Sequence, residues 1–341
     1  MESTKGVNNY DYVDVTKALA IIIMVACHAG QPSTYFSNFI GWFHMPVFFF
    51  LSGFCFKEKY LDAPLEYLKR KVKGIWWPFF KYNLFFLLIH NLLVHYGIIG
   101  GNLFSISQSL KLLFSYLIMW HWDYTMLGGY WFIHDLFFAT LVIYVLIKFL
   151  KKRVWIGIIC GLAFCTLLKY FEIDLFRLIN PRFFMVVSIM LAGYCFKFYK
   201  KPLILNSYGE ICALLLLVAC SFGRGVCLLN FRFCDILPYF ILAIVGSLFL
   251  TSLGNRITRI DDTKSFQYIG KNTMAILTWH FLSFKLVTLL RINAEGLPLE
   301  ELTSFPVIKG GYWWIAYLIV GIAVPLGISK LSNYANDVIR K

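Results

Sequence analysis

Long apolar runs separated by short basic loops constrain this chain more than any other feature. An α-helix rises 1.5 Å per residue, so about 20 apolar residues cross the hydrocarbon core of a bilayer. Ten such runs are legible, near residues 14–34, 38–56, 75–97, 129–149, 154–170, 181–199, 203–222, 235–253, 268–290 and 311–330. The stretch 103–120, LFSISQSLKLLFSYLIMW, reads as an interfacial or re-entrant segment. In lipid every backbone polar group must be satisfied within the chain, which leaves helices or closed barrels, and runs of this length select helices. The expected fold class is an all-α integral membrane protein of about ten transmembrane helices. Residues 1–341 are expected to form a single polytopic domain with no appended soluble domain.

Charge then sets the orientation. Lys57, Lys59, Lys69, Arg70, Lys71 and Lys73 follow the second run, Lys151, Lys152 and Arg153 the fourth, Lys200 and Lys201 the sixth, and Arg256, Arg259 and Lys264 the eighth. Lys330, Arg340 and Lys341 end the chain, and the intervening loops are poorer in Lys and Arg. By the positive-inside rule both termini are cytoplasmic. The net charge of +14 is then an orientation signal rather than a nucleic-acid footprint. With 15% charged residues and a mean hydropathy of +0.68, the composition lies far from a soluble domain, where roughly a quarter of residues are charged. The start, MESTKGVNNYDYVD, lacks a signal-peptide pattern. The nine cysteines show no CxxC or Cys/His metal spacing, so no metal is expected and they read as small buried hydrophobes. Cys227 and Cys234 are a pair that could face an oxidising compartment and join.

An ionisable side chain inside a membrane span is a functional hypothesis by default. In YDYVDVTKALAIIIMVACHAG, Lys17 and His28 are separated by a rotation about 20° from three full turns, and Asp14 lies about 40° off on the other side. All three share one helix face, Asp14 and Lys17 can pair at i, i+3, and the imidazole lies roughly 20 Å further along the axis. In GWFHMPVFFFLSGF, residues 41–54, an apolar run carries His44, Pro46, Ser52 and Gly53. His28, His44, His134 and His280 fall at a similar depth in the outer half, where four imidazoles could line one cavity. Helix–helix hydrogen bonding explains such histidines equally well. On the cytoplasmic side EYLKRKVKGIWWPFFKY gathers Lys69, Arg70, Lys71 and Lys73. A phosphate-bearing ligand suits that cluster, as do an orientation signal and contact with anionic lipid.

These segments resemble, in order, motifs of the acyltransferase-3 family of membrane O-acyltransferases, closest to its short fucose O-acetylase-like branch. YVDVTKALAIIIMVACHAG is similar to the family's Asp-x-x-basic start with a histidine eleven residues on, and FHMPVFFFLSGF is the most specific stretch. LKRKVKGIWWPFFKY resembles the R-x-x-R motif with its Pro-aromatic step. GGYWFIHDLFF, with Trp131, resembles the motif heading the fourth span, and IGKNTMAILTWHF the Gly-Lys-Asn segment ending in histidine. Lys17 stands where Arg is common, and Arg70-x-x-Lys73 replaces the second arginine. The acidic Ser-x-x-Glu motif and the esterase-like domain of longer relatives are missing. Those departures leave the acceptor and any export route open.

The resemblance implies an acyl-CoA donor, usually acetyl-CoA, entering from the cytoplasm. It implies His28 as the essential histidine, Lys17 as its basic partner with Asp14 beside it, and Arg70 and Lys73 on donor phosphates, flanked by Lys69 and Lys71. His44, Ser52, Trp131, His134 and His280 are then expected to wall the substrate cavity. The implied activity is O-acetyl transfer to a hydroxyl of a cell-surface polysaccharide, or its lipid-linked or sugar precursor, in a bacterial plasma membrane. Another small hydroxylated acceptor fits as well. The competing class is a transporter or flippase of a lipid-linked glycan or small solute, because Asp, Lys and His chains also mark proton relays. Neither an inverted repeat nor a pair of broken helices is visible in support of it.

Overall fold

The structure is a computed structural model that describes residues 11–31, 33–120, 124–173, 178–222, 228, 235–259 and 263–339, with side chains as far as 335. Cys227, Cys234 and His121 lie outside the described residues. The described chain is helical, without a β-strand. Its helices are α1 (Asp11–His28), α2 (Thr34–Gly41), α3 (Pro46–Phe54), α4 (Pro64–Lys71), α5 (Trp77–His95), α6 (Ile106–Leu117), α7 (Tyr130–Leu150), α8 (Val154–Tyr170), α9 (Pro181–Phe198), α10 (Ser207–Ser221), α11 (Ile236–Thr258), α12 (Lys264–Lys271), α13 (Thr273–Glu295) and α14 (Trp313–Ile339). Among the described residues five helical stretches are long and apolar enough to cross a membrane: Tyr130–Tyr170, Pro181–Phe198, Ile236–Thr258, Thr273–Glu295 and Trp313–Ala335.

Local chemistry explains the helix starts. Ser33 caps α2 by accepting from the Phe36 amide, and Ser105 and Gln108 form a reciprocal capping box on α6. Asn180 accepts from the Phe183 amide while Pro181 occupies the first turn of α9, where a missing N–H costs nothing. The same rule divides the run 38–56. Pro46 opens α3, α2 stops at Gly41, and a turn intervenes. A second interruption separates α12 from α13 at Asn272. Two of the expected runs are therefore each divided between two helices.

The chain forms two compact units. The first is Met1–Ala20, Ser33–Arg70 and Asp135–Lys271; the second is Ile21–Pro32, Lys71–His134 and Asn272–Lys341. In the first unit, α9 packs against both α3 and α8. Two glycines make the α3–α9 crossing possible. A Cβ on Gly53 would overlap the Met190 carbonyl, and one on Gly193 would overlap the Phe50 carbonyl. Small residues of this kind let backbones touch, the usual device for packing helices in lipid. Gly254 and Gly270 do the same for the start of α1, bringing backbone against Thr16 and Asp14. A buried ion pair joins α7 to α9, with Arg182 Nε 2.7 Å from Asp135 Oδ2.

In the second unit α13 packs along α14, and α5 along α6. The head of α7 approaches α13 through Gly128 and Gly129, where added Cβ atoms would press on Phe281 and Leu277. Tyr130 then reaches the Thr278 hydroxyl at 2.8 Å. Thr278 gives its own hydrogen to the Met274 carbonyl, so Tyr130 is the donor.

Candidate active site

α1 carries Asp14 and Lys17 in the first unit and His28, its last residue, in the second. Lys17 Nζ and Asp14 Oδ1 form the expected i, i+3 ion pair at 2.7 Å, with both side chains partly exposed.

In the second unit the structure brings His28 and His280 together. His28 Nδ1 lies 3.1 Å from His280 Nε2, and the two rings stack with centroids 5.2 Å apart and 14° between their planes. Phe281 packs against both, at 4.9 and 3.9 Å. His280 is fully buried, while His28 keeps partial exposure.

Hydrogen bonding assigns the protons of this pair. His280 Nδ1 lies 3.0 Å from the carbonyl oxygens of both Ile276 and Leu277. Carbonyls only accept, so Nδ1 carries the hydrogen, and a neutral ring then has its lone pair on Nε2. His28 must donate from Nδ1 to His280 Nε2, which leaves the lone pair of His28 on its own Nε2. An imidazole held in one tautomer, with its basic nitrogen defined, is what a general base needs.

The loop between α13 and α14 is laid against this cluster. Phe305 packs against Phe281, with ring centroids 4.7 Å apart, and a Cβ on Gly30, whose φ is +77°, would come within 2.8 Å of Val307. Two cations of α13 hold the loop by its main chain. Lys285 donates to the carbonyls of Leu302 and Ser304, each at 2.8 Å. Arg291 donates to those of Ile308 and Gly310, at 2.9 and 3.0 Å, and to Glu295. Backbone near a membrane core must find such partners inside the protein.

The other expected site residues are placed as follows. His44 sits in the turn between α2 and α3, where its Nδ1 donates to the Ile40 carbonyl at 2.7 Å and so closes the end of α2. Ser52 gives its hydroxyl hydrogen to the Phe48 carbonyl within its own helix. Trp131 and His134 are buried on α7. Lys69, Arg70 and Lys71 end α4, and Lys73 lies in the π-helical turn Val72–Trp76 that follows. Arg70 Nη1 donates to the Tyr60 hydroxyl at 2.7 Å, and its guanidinium also lies over that ring. Tyr67, whose phenol is pushed up by burial, donates to the Thr140 carbonyl beneath. The Asp135–Arg182 pair was not singled out in the sequence. Its signal was present, in two ionisable residues within apolar runs.

The sequence profile of the acyltransferase domain family matches residues 10–330. Comparisons with curated proteins and with solved structures gave no match.

Proposed function

The chain belongs to the acyltransferase-3 family and is a membrane acyltransferase, and from that premise we propose that it moves an acetyl group from cytoplasmic acetyl-CoA to a hydroxyl group. The acceptor is a cell-surface polysaccharide, or its lipid-linked or sugar precursor, and the setting is the plasma membrane of a bacterium. About ten spans with both termini in the cytoplasm complete the topology, supported by the basic residues in every second loop.

The observation that carries this reading is the oriented imidazole pair, His28 Nδ1 to His280 Nε2 at 3.1 Å. His28 Nε2 takes the proton of the acceptor hydroxyl as its oxygen attacks the thioester carbonyl carbon. The tetrahedral adduct collapses, the C–S bond breaks, and the proton passes from His28 to the departing thiolate. The products are an acetyl ester and free CoA, with all atoms balanced. His280 holds the His28 ring and shares the charge that develops on it. Lys17, fixed by Asp14, is the polar anchor for the donor arm, and the Lys69, Arg70, Lys71 and Lys73 cluster draws the phosphates of CoA to the cytoplasmic mouth. His44, Ser52, Trp131 and His134 belong to the walls of the substrate path. No metal takes part in this scheme.

Membranes supplied with acetyl-labelled acetyl-CoA and a broad acceptor pool test it. Label should appear in a base-labile ester on a glycan or small hydroxylated acceptor, and mass spectrometry of that product names the acceptor. Folded protein that moves a solute but never labels one would instead support a transporter, the class that the helix break at residues 42–45 also suits.

A further inference from the structure

We infer that a mixed-charge cavity in the first unit seats an adenine nucleotide, the phosphorylated end of the donor. This rests on the acetyl-CoA reading given above. The cavity measures about 370 Å³, within the ~300–1,000 Å³ range of small-ligand sites. Lys148, Lys151 and Lys152 line it together with Glu58 and Asp62, and the Tyr194 and Phe198 rings, 5.8 Å apart, form part of its wall.

The mixture of charges selects the ligand class. Three ammonium groups suit phosphate oxygens, which they meet as point charges. Two carboxylates suit donors, such as ribose hydroxyls and an exocyclic amine. An inorganic anion engages the lysines alone, and a polyamine meets three like charges. A purine nucleotide satisfies both sets and offers a ring face to Phe198, the partly exposed ring of the wall.

The walls are set before any ligand arrives. Tyr194 donates to Glu58 Oε1 at 3.0 Å, Tyr199 to the Lys152 carbonyl at 2.6 Å, and Tyr144 to the Leu61 carbonyl at 3.2 Å. These bonds fix the turns that carry the charged residues, which lowers the ordering cost of binding. The same turn, Glu58–Asp62, carries Tyr60, the residue that already engages Arg70. Orientation in the membrane accounts for basic residues after α7, and the helix C-terminus favours them. Neither accounts for carboxylates converging on the same cavity.

Adenosine 3′,5′-bisphosphate, which lacks the thioester arm, is the probe. Its binding to the detergent-purified full chain is measured by calorimetry for wild type, for Lys148→Gln, Lys151→Gln and Lys152→Gln singly and combined, and for Lys200→Gln/Lys201→Gln. The three cavity lysines are exposed, so their variants should fold. Each single change should weaken binding about fivefold and the triple change about fiftyfold or more, the scale of lost charge-assisted contacts. In acetyl transfer the triple variant's loss should fall on KM for acetyl-CoA rather than on kcat, and the Lys200/Lys201 variant should match wild type. A triple variant with wild-type bisphosphate affinity and wild-type KM overturns the cavity assignment, even where acetyl transfer itself is observed. Lysine-dependent bisphosphate binding in a protein that transfers no acetyl group upholds the nucleotide seat and overturns the donor reading instead.

Discussion

The two units satisfy their cations in different ways. The first sets three of its described cations against carboxylates: Lys17 on Asp14, Arg182 on Asp135 and Arg256 on Glu210, all within 2.7 Å. The second spends Lys285 and much of Arg291 on main-chain carbonyls of the α13–α14 loop. A buried carboxylate pair ties one helix to another and tolerates no lost partner. A carbonyl clamp serves the backbone, and lets a non-helical segment lie against the imidazole pair with its polar groups satisfied. The first arrangement builds a scaffold. The second shapes the surroundings of a reactive group.

The contrast is most exposed at Arg182. Asp135→Leu removes the carboxylate from a buried guanidinium and should cost about 3–5 kcal/mol, seen as a large loss of thermal stability in detergent. Asp135→Leu with Arg182→Met should recover most of it. A single variant as stable as wild type would show that the pair does not join α7 to α9. The glycine crossing ranks next. Gly193→Ala should lose about 1–3 kcal/mol by the same assay, because the Phe50 backbone must move.

Lys285→Met sharpens the other side of the comparison. Two carbonyls lose a charged donor, at about 1–3 kcal/mol, and the loss should be local. Hydrogen exchange should rise across residues 299–308 and not in α3 or α9; uniform exchange would mean that Lys285 supports the fold at large. Tyr130→Phe is the mildest change, about 1 kcal/mol for one neutral hydrogen bond to Thr278, read as a small shift in melting temperature. A loss several times greater would show that the phenol holds more than this bond.

Much of this was legible in the chain. Apolar run lengths announced an all-helical membrane protein, and each expected run contains a helix. Arithmetic on α1 put Asp14, Lys17 and His28 on one face, and the pair at its foot formed as spacing required. The break before Pro46 could have been read from the preference of proline for the first helical turn. Other features could not be read this way. Similar depth grouped four histidines, but depth says nothing about which helices are neighbours. His280 reached His28, whereas His44 turned to the Ile40 carbonyl of its own segment. Asp135 found Arg182 across forty-seven residues, a pairing that no local periodicity encodes. The loop clamp was equally hidden, since its acceptors are carbonyls and carry no signature in residue type.

The deciding measurement is acetyl transfer by His28→Ala, with acetyl-CoA binding followed in the same membranes. Loss of a general base should lower transfer by about 10²–10⁴-fold while donor affinity stays near that of wild type. Transfer at the wild-type rate, or an equal loss of transfer and binding, would contradict the assignment of His28 as the base.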